Sequence, residues 1–328
     1  MLAVAALQAS SSLFFEKIWG SLSCEALAWW DARFQILLFC RMRVTVASMP
    51  RQVGIVAALW RYPVKSMLGE QIAELEVTNH GALGDRAWAL RELATGRIVS
   101  GKKFAAMFKF RAFYDEPPVA GRFAAVGIHM PDGSMIHAAD PGASEMISAA
   151  LGSRVKLERC ESITRERAGI DPKTVFADVP VEKVIPGLTA ETMPPDFGLS
   201  PGSFFDSAPM HILASGTLRH LAKLTGGASI FDPRRFRPTI FVDTGLSDDR
   251  FVEDEWEGKT IRVGDRLKIV EPRAALRCVM TTHPQDDLPR DFAILRTPAQ
   301  HHRANVGVFA QIGAPGVIRL GDPVFLES

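Results

Sequence analysis

The sequence predicts a mainly β protein of α+β type, built on a β-barrel with a few helices. Apolar runs of strand length recur from Val53 onward and end at proline or glycine. Two turns, Val263-Gly264-Asp265 and Leu320-Gly321-Asp322, each lie between two apolar runs, which predicts hairpins late in the chain. The strand–helix alternation of a doubly wound sheet is missing, as are the loops G-x-G-x-x-G and G-x-x-x-x-G-K-[ST]. These patterns favour a barrel and exclude nucleotide enzymes of those classes.

The composition sets the size of the core and excludes general polyanion binding. The 328 residues are 47% hydrophobic, which is enough for one bipartite domain or two ordinary domains. The 38 Lys and Arg residues nearly balance the 37 Asp and Glu residues, giving a formal net charge of +1. We therefore expect no nucleic-acid partner, and any basic site must be local.

Residues 1–50 differ in texture from the rest of the chain. Charged residues interrupt every apolar run before it reaches the roughly 20 residues that span a bilayer. No basic residues precede the first apolar run, which argues against a secretory signal. We predict a poorly ordered or non-native extension, with Met49 as the working start. The alternative is an amphipathic membrane anchor built on Trp29, Trp30 and Phe34, but no clean helical face appears, and membrane association is not expected.

The elements that follow are strands and hairpins. "VGIVAALWRYPV" and "IAELEVTNHG" are predicted strands, because apolar residues are continuous in the first and alternate in the second. "DRAWALREL" and "GRIVSGKK" are predicted to form a hairpin joined at Thr95–Gly96. "AAVGIHMPDGSMIHA" predicts a second hairpin, with Pro131-Asp132-Gly133 as its turn.

Two helices and a connector come next. A helix is predicted from Gly142 to Gly152, with Ser144 as its N-cap and Gly152 as its stop. The segment 154–202 is rich in Pro, Asp and Gly and is predicted to be a connector. "GTLRHLAKLTG" predicts a second helix, and strands follow at "PTIFVDT", "KTIRVGDRLKIVEP" and "GVIRLGDPVFLE".

The cysteines and histidines supply no obvious metal cluster. Cys24, Cys40, Cys160 and Cys278 are widely scattered, and no C-x-x-C pair signals a zinc ribbon, an iron–sulfur cluster or a thioredoxin-like couple. This pattern predicts a reducing compartment and a cytoplasmic location. The histidines are interpreted as structural: His211 and His220 flank a helix, and His301–His302 lies in a polar, mobile stretch.

The segment "RYPVKSM" presents an ammonium and a hydroxyl from a fixed loop. Pro63 ends the preceding strand and turns the chain, so Lys65 and Ser66 project together. Both groups suit a phosphate. The alternative is an ordinary solvated lysine.

Two arginines lie within apolar segments, where an unpaired charge is costly. Arg86 stands between the Gly84-Asp85 turn and Trp88, and Arg237 stands between Phe236 and Pro238. Asp85 and Asp232 could satisfy these arginines internally, and this alternative stays open. If the basic residues converge instead, they form a cradle for a phosphorylated ligand, made of Lys65, Ser66, Arg86 and Arg237.

Cys278 follows Arg277 in the segment "AALRCVMTTHPQ". A buried cysteine in an apolar run is usually a small hydrophobic residue. A neighbouring cation favours the thiolate, which is both a nucleophile and a metal ligand. One thiolate cannot build a zinc site alone, but it can complete the coordination of a metal that arrives with a cofactor.

The ordered series "WRYPVKS", "LGDRAWAL", "FRPTIFV", "RCVMTTHP" and "GVIRLGDPVFL" resembles the MOSC family. This family combines an N-terminal β-barrel domain with the molybdenum cofactor sulfurase C-terminal domain. The likeness runs from about residue 53 to residue 326 and is greatest to bacterial N-hydroxylated-compound reductases and the mitochondrial amidoxime-reducing component. It implies a MOSC N-terminal domain over residues 51–165 and a MOSC domain over residues 166–328.

The resemblance also implies a cofactor and a reaction. Cys278 would be the thiolate ligand of molybdenum, and Asp206 in "FFDSAP" would lie near the metal as the second catalytic residue. The implied reaction is the two-electron reduction of N–OH to N–H in a small substrate. The implied cofactor-binding residues are Lys65, Ser66, Arg86, Ser207, Arg237, Thr239 and Arg277.

Several positions depart from the family pattern. Ala275 stands where a second cysteine is common, His283 where an aspartate is common, and Thr239 where an asparagine is common. The C-x₄-C-x₂-C motif of some bacterial relatives is absent, so the resemblance implies a separate electron-donor protein. No bound pyridoxal phosphate is expected. The alternatives are a carrier of cofactor or of sulfur, as a persulfide on Cys278, and a barrel with a degenerate site.

Overall fold

The computed structural model describes residues 49–122, 124–160 and 202–327. The predictions for residues 1–48, and for most of the connector, lie outside these described residues. The strands of the described residues are β1 Arg51–Arg61, β2 Glu70–Ile72, β3 Glu74–Thr78, β4 Gly81–Ala82, β5 Trp88–Glu92, β6 Arg111–Tyr114, β7 Val126–His129, β8 Met135–His137, β9 Val155–Arg159, β10 Met210–Ala214, β11 Ile240–Asp243, β12 Thr260–Val263, β13 Leu267–Leu276, β14 Asn305–Ala314, β15 Gly316–Arg319 and β16 Pro323–Glu327. The helices are α1 Ala143–Leu151, α2 Ser215–Leu224 and α3 Ala293–His302, with 3₁₀ turns at Ala105–Lys109, Pro233–Phe236, Val252–Glu255 and Val279–Thr282.

Seven strands close into a barrel, as the sequence predicts. Their order is β11-β10-β14-β13-β12-β16-β1, and a further pairing of β1 with β11 completes the ring. Strand β1 makes the closure possible because Arg51–Ile55 pairs with β16 while Ile55–Leu59 pairs with β11. Every pairing in the ring is antiparallel except that of β10 with β11. Closure leaves no exposed edge in this sheet except where β2 extends β1.

The barrel has its own apolar core. Side chains from every barrel strand meet inside, and Trp256 is fully buried among them. The alternating burial along β13 follows the two-residue period of a strand that faces a core on one side. The interior is therefore packed rather than open.

A second core lies in the N-terminal half. Strands β6, β7 and β8 form one sheet, β5 pairs with β9, and helix α1 lies against β9. The buried residues at its centre include Leu90, Phe110, Ile128 and Ile147. A third sheet, β15-β3-β4, joins a late strand to two early ones.

Two of the predicted hairpins are confirmed, and a third is wrong. Strands β7 and β8 pair across Pro131-Asp132-Gly133, and β12 and β13 pair across Gly264. The turn at Gly321 does not join a strand pair, since β15 pairs with β3 and β16 pairs with β1 and β12. Its backbone instead bonds Val56, from Gly321 N to Val56 O and from Val56 N to Asp322 O. The local sequence dictates the turn at Gly321, whereas packing against β1 decides which strands β15 and β16 pair with.

The predicted Thr95–Gly96 hairpin is short. Glu92 N donates to Arg97 O, and one antiparallel bridge links Arg91 to Ile98. The main partner of β5 is β9, which lies within the segment predicted as a connector. The connector prediction is therefore wrong for residues 155–159.

The helix predictions hold except at one cap. Helix α1 ends at Gly152, which adopts φ 66°, as a C-terminal glycine should. Ser144 is not the N-cap, because Gly142 holds that position and the Ser144 hydroxyl accepts a bond from Leu157 N of β9. The predicted mobile stretch at His301–His302 is instead the end of helix α3. Within the described ranges, no helix is both long and apolar enough to cross a membrane.

Candidate functional site

One pocket gathers side chains that are far apart in the sequence. Eight of the nine predicted site residues line it: Lys65, Ser66, Arg86, Asp206, Ser207, Arg237, Arg277 and Cys278. Thr239 does not line the pocket. It is fully buried just before β11, and its backbone forms hydrogen bonds with Trp60 and His211, while its hydroxyl has no partner in the part of the chain that the structure describes.

The loop after β1 holds Lys65 inside the pocket. Its backbone is fixed by bonds from Lys65 N to Trp88 O and from Trp88 N to Pro63 O. The Lys65 ammonium donates to Phe204 O and to Asp206 Oδ1, both at 2.7 Å. Lys65 is only 6% exposed, so it is not the solvated lysine of the alternative interpretation.

Lys65 and Asp206 form an ion pair. Burial lowers the pKa of Lys65, and Asp206 offsets part of that effect. Burial by itself would raise the pKa of Asp206, but the charges of Lys65, Lys102 and Arg86 outweigh it and hold the pKa at about 2. Asp206 is therefore ionised at neutral pH and can only accept hydrogen bonds there.

The two arginines differ in their partners. Arg86 pairs with Asp85, whose other oxygen accepts from Tyr62 N at 2.8 Å. Arg237 has no carboxylate partner among the described residues, because Asp232 pairs with Arg234 instead. Arg237 donates through Nη1 to the Met67 carbonyl at 2.7 Å, and its Nη2 has no partner among the described residues. Internal pairing therefore explains Arg86 but leaves Arg237 free for a ligand.

Tyr62 supports both guanidinium groups and was missed by the sequence analysis. The guanidinium carbon of Arg86 lies 4.3 Å from the centroid of the Tyr62 ring, and that of Arg237 lies 4.1 Å from it. These are cation–π distances. Burial raises the pKa of Tyr62 to about 12, against the lowering effect of both arginines. The only sequence signal was an aromatic residue directly before Pro63.

Arg277 places a third guanidinium group beside the thiol. Its Nη2 donates to Phe236 O at 2.6 Å and its Nη1 lies 3.3 Å from His211 Nε2, while its Nε has no partner in the described ranges. Burial lowers the pKa of Arg277, and likewise that of Arg237, to about 10. Both groups stay positively charged at neutral pH while lacking an anion in the described part of the chain.

Cys278 is a free, half-buried thiol two residues after the end of β13. A 3₁₀ turn begins at the next residue, and both the backbone N and the hydroxyl of Thr281 donate to the Cys278 carbonyl. On the other side, Arg277 N donates to Ala304 O. The backbone is thus fixed on both sides of the sulfur.

Backbone strain is concentrated at this pocket. Four of its residues have a left-handed φ without being glycine: Ser66 (66°), Arg86 (47°), Ser207 (71°) and Arg237 (55°). Only four other non-glycine residues of the described chain share this conformation. Each such residue costs about 1–2 kcal/mol. Strain of this kind persists at ligand sites, where the surrounding fold imposes the geometry.

The charges of the pocket fit an anionic ligand. Six cationic side chains line it, against one carboxylate, Asp206. Because Lys65 and Arg86 are ion-paired internally, Arg237 and Arg277 are the charges best placed to meet a phosphate. The unpartnered nitrogens Arg237 Nη2 and Arg277 Nε agree with this.

The donors also fit a metal that brings most of its own ligands. Among the described residues, no group of three or more His, Cys, Asp or Glu side chains is arranged to hold an ion. Cys278 alone offers one thiolate next to the phosphate-compatible arginines. A metal held chiefly by a phosphorylated cofactor suits this set of donors.

Other lining residues were also missed. His211 is buried in the pocket, and burial, followed by the charge of Arg277, holds the pKa of His211 well below its usual range. Gly307 makes room for this ring, since a Cβ there would lie 2.5 Å from His211 Nε2. Lys102 and Arg235 reach the pocket from distant segments. Nothing in the local sequence distinguishes these residues from ordinary core and surface positions.

Comparison with known proteins gives two family matches. Residues 53–168 match the MOSC N-terminal beta barrel domain, and residues 200–325 match the MOSC domain. Mitochondrial amidoxime-reducing component 1 of Mus musculus is 25% identical over 318 residues, covering 84% of this chain and 83% of that protein. Mitochondrial amidoxime reducing component 2 of Homo sapiens is 25% identical over 295 residues, covering 84% of each. The crystal structure of a YUAD protein from Bacillus subtilis aligns with 85% of this chain at 12% identity and a TM-score of 0.41, which carries no information on function.

Proposed function

The chain belongs to the MOSC family, and on that premise we propose that it is a molybdenum-cofactor-dependent oxidoreductase that reduces N–OH groups of small substrates to N–H. The observation that carries the proposal is the meeting of a free thiol, Cys278, with two unpaired guanidinium groups, Arg237 and Arg277, in one pocket. Relatives at 25% identity are named as amidoxime-reducing components, which supports the same reaction class.

The cofactor would be held by side chains with separate tasks. Arg237 and Arg277 would bind the phosphate of the pterin, with the Ser66 hydroxyl as a further donor. Arg86 and Lys65, already paired with Asp85 and Asp206, would fix the shape of the cradle. Ser207 would support the cradle from the pocket lining, and Thr239 would support it from its buried position before β11. Cys278 would supply the thiolate ligand of the metal.

When bound, the cofactor supplies the two-electron redox chemistry, and the protein supplies binding, orientation and proton handling. The reaction R–NH–OH + 2e⁻ + 2H⁺ → R–NH₂ + H₂O consumes two protons. With its pKa at about 2, Asp206 cannot donate one at neutral pH, so we assign it to accept a hydrogen bond from the substrate N–OH. Its side chain is 30% exposed, which leaves an oxygen accessible for this contact.

Lys65 is the proton-holding partner of Asp206. Its ammonium donates to that carboxylate at 2.7 Å, and burial lowers the pKa of Lys65, which makes the ammonium a better acid. The aromatic walls formed by Phe204, Phe205 and Phe309 limit access of water.

We also propose that the electrons come from a separate donor protein and that the protein is located in the cytoplasm. The proposed domains are residues 51–165 and residues 166–328.

The test is reduction of a neutral N-hydroxylated probe. Full-length protein from a host that makes the cofactor is given benzamidoxime and reduced viologen, and formation of benzamidine is followed. We expect turnover by the wild type and loss of it in Cys278→Ser. A protein that contains molybdenum but reduces neither benzamidoxime to benzamidine nor any hydroxylamine probe to its amine would refute the reductase assignment. That outcome would favour a carrier with its cargo on Cys278.

A further inference from the structure

Two lining cations, Lys102 and Arg235, have no task in the proposed function, and Arg235 is held by the carbonyl groups of Ile230 and Pro289. Lys102 lies in the turn at residues 101–103, before the 3₁₀ turn at Ala105–Lys109, and its half-buried side chain lines the pocket. The wall that it occupies comes from the N-terminal half of the chain, whereas Asp206 and Cys278 come from the C-terminal half. A substrate that reaches Asp206 therefore comes within the field of Lys102.

The other five lining cations are all engaged within the protein. Lys65 donates to Asp206, and Arg86 donates to Asp85. The remaining three donate to backbone carbonyl groups: Arg235 to Ile230 and Pro289, Arg237 to Met67, and Arg277 to Phe236. In the part of the chain that the structure describes, the Lys102 ammonium has neither a hydrogen bond nor an ion pair. Its whole ammonium group is therefore available to a ligand, whereas Arg237 and Arg277 each offer one nitrogen without a partner among the described residues, which the proposed function assigns to the cofactor.

Lys102 shares the pocket with the Lys65–Asp206 ion pair. The charge of Lys102 contributes to lowering the pKa of Asp206 and also that of Lys65. Since Lys65 and Asp206 neutralise each other, one net positive charge remains beside the carboxylate assigned to the N–OH group. The two ammonium groups carry one more charge than the single carboxylate, so one further anion would balance the charge.

The depth of Lys102 indicates which ligand would supply that anion. Lys65, Arg86 and Arg237 are each at most 8% exposed, whereas Lys102 is half-buried. Arg277 is also half-buried, but the Phe236 carbonyl holds its guanidinium group in place. The deep or carbonyl-held cations therefore suit the cofactor, which stays in place, and Lys102 suits a molecule that enters and leaves. An ordinary surface lysine would extend into solvent, away from a second ammonium group, rather than line a pocket with one.

We propose that the substrates of this pocket carry an anionic group, such as a carboxylate, in addition to the N–OH group, and that the Lys102 ammonium binds it. This inference rests on the proposed function. It names the substrate class: small N-hydroxylated acids rather than neutral or cationic N-hydroxylated compounds.

The test compares matched substrates and neighbouring lysines. Cofactor-loaded wild type, Lys102→Gln, Lys102→Arg and Lys103→Gln are assayed with benzamidoxime and 4-carboxybenzamidoxime. Lys103 is the control because it is next in sequence but pairs with Glu92 at 2.7 Å and does not line the pocket. A second readout is calorimetric binding of 4-carboxybenzamide, which lacks the N–OH group and cannot be reduced.

We expect Lys102→Gln to lower the ratio of kcat/KM for the acidic over the neutral probe by about three- to tenfold, the range of a partly buried ion pair. Binding of 4-carboxybenzamide should weaken by a similar factor. Lys102→Arg should restore most of both effects, and Lys103→Gln should leave both at the wild-type value. Molybdenum content should be equal in all four proteins.

An unchanged ratio and unchanged binding in Lys102→Gln would overturn the inference while leaving the proposed function intact, provided benzamidoxime is reduced. Loss of molybdenum from Lys102→Gln would also overturn it, by making Lys102 a cofactor ligand. If the wild type reduces neither probe, the proposed function itself fails.

Discussion

The guanidinium carbon of Arg237 lies 4.1 Å from the centroid of the Tyr62 ring. The same ring contacts Arg86 at 4.3 Å, although the two arginines repel each other. An electron-rich ring that contacts both groups lets two like charges stay close before any ligand arrives. Tyr62 therefore organises the cradle even though it does not line the pocket.

Replacing the Tyr62 ring should loosen the cofactor. Each cation–π contact is worth about 0.5–2 kcal/mol, so Tyr62→Leu should weaken cofactor retention by about tenfold, measured as molybdenum per chain after dialysis. Tyr62→Phe should retain the wild-type content, since no hydrogen bond of the Tyr62 hydroxyl is found within the described residues. Equal contents in Leu and Phe variants that melt at the same temperature would contradict the role of the ring.

The charge of Arg237 should strengthen cofactor binding and lower the stability of the cofactor-free chain. Arg237→Gln can keep the bond to the Met67 carbonyl while removing a buried charge that has no carboxylate partner. We expect molybdenum content to fall severalfold, and the cofactor-free chain to gain about 1 kcal/mol in free energy of unfolding.

The control is Arg234→Gln, three residues earlier, where the arginine pairs with Asp232 and Asp287 outside the pocket. Its molybdenum content should match that of the wild type. Two results would contradict a ligand-binding role for the unpaired charge. One is an unchanged molybdenum content in Arg237→Gln. The other is a loss of stability of the cofactor-free chain that is as large as the loss in cofactor binding.

Glu253 should make stability depend on pH, away from the pocket. Burial raises the pKa of Glu253 to about 7 from 4.5, although Thr217 and Ala214 N donate to its carboxylate. Between these values the folded state holds a proton that the unfolded state has released, so stability falls as the pH rises from about 4.5 through about 7. The loss is roughly 3 kcal/mol at most.

Glu253→Gln should remove this dependence, because the amide does not titrate and still accepts one hydrogen bond. Urea unfolding at pH 5 and pH 8 checks it: the difference in free energy of unfolding between the two pH values should shrink relative to the wild type. An unchanged difference would place the titrating group elsewhere.

Gly307 should be required for the geometry around Arg277. Its φ is 81°, and a Cβ would lie 2.5 Å from His211 Nε2 and 2.6 Å from Ile212 O. Gly307→Ala should therefore cost about 2–4 kcal/mol, from backbone strain and overpacking together, and lower the molybdenum content.

Gly321→Ala is the matched control, since Gly321 also has a left-handed φ (86°) but nothing lies within 4 Å of its Cβ position. It should cost only about 1 kcal/mol, measured by urea unfolding, and spare the cofactor. Similar costs at the two positions would show that the His211 contact is unimportant.

The sequence revealed more of the strands than of their partners. The apolar runs and turn residues located β1, β12 and β13, because local patterning dictates strand and turn formation. Closure of the barrel through β1 and β11 was not visible, nor was the split of β15 from β16 at Gly321. Strand β9 was missed for the same reason, since its pairing with β5 is decided by contacts far along the chain.

The site shows the same division. Cys278 and Arg237 lie in motifs that can be recognised locally, and the structure places both in one pocket. Lys102 and Tyr62 could not be recognised in this way. Lys102 lies in the pocket with Asp206, which is distant in sequence, and Tyr62 contacts two arginines, Arg86 and Arg237, at once. The left-handed φ of Ser66 was equally hidden, because strain shows in a sequence only when glycine marks it.

The central claim is that the sulfur of Cys278 completes the coordination of a molybdenum cofactor. The most direct test is the molybdenum and pterin content of full-length protein from a cofactor-producing host, for the wild type, Cys278→Ser and Cys160→Ser. Cys160 is the control, since it is the other described cysteine and does not line the pocket. We predict near-equal molar amounts of molybdenum and chain in the wild type and Cys160→Ser, and little molybdenum in Cys278→Ser. Wild-type protein without molybdenum, or Cys278→Ser with the full amount, would contradict the claim.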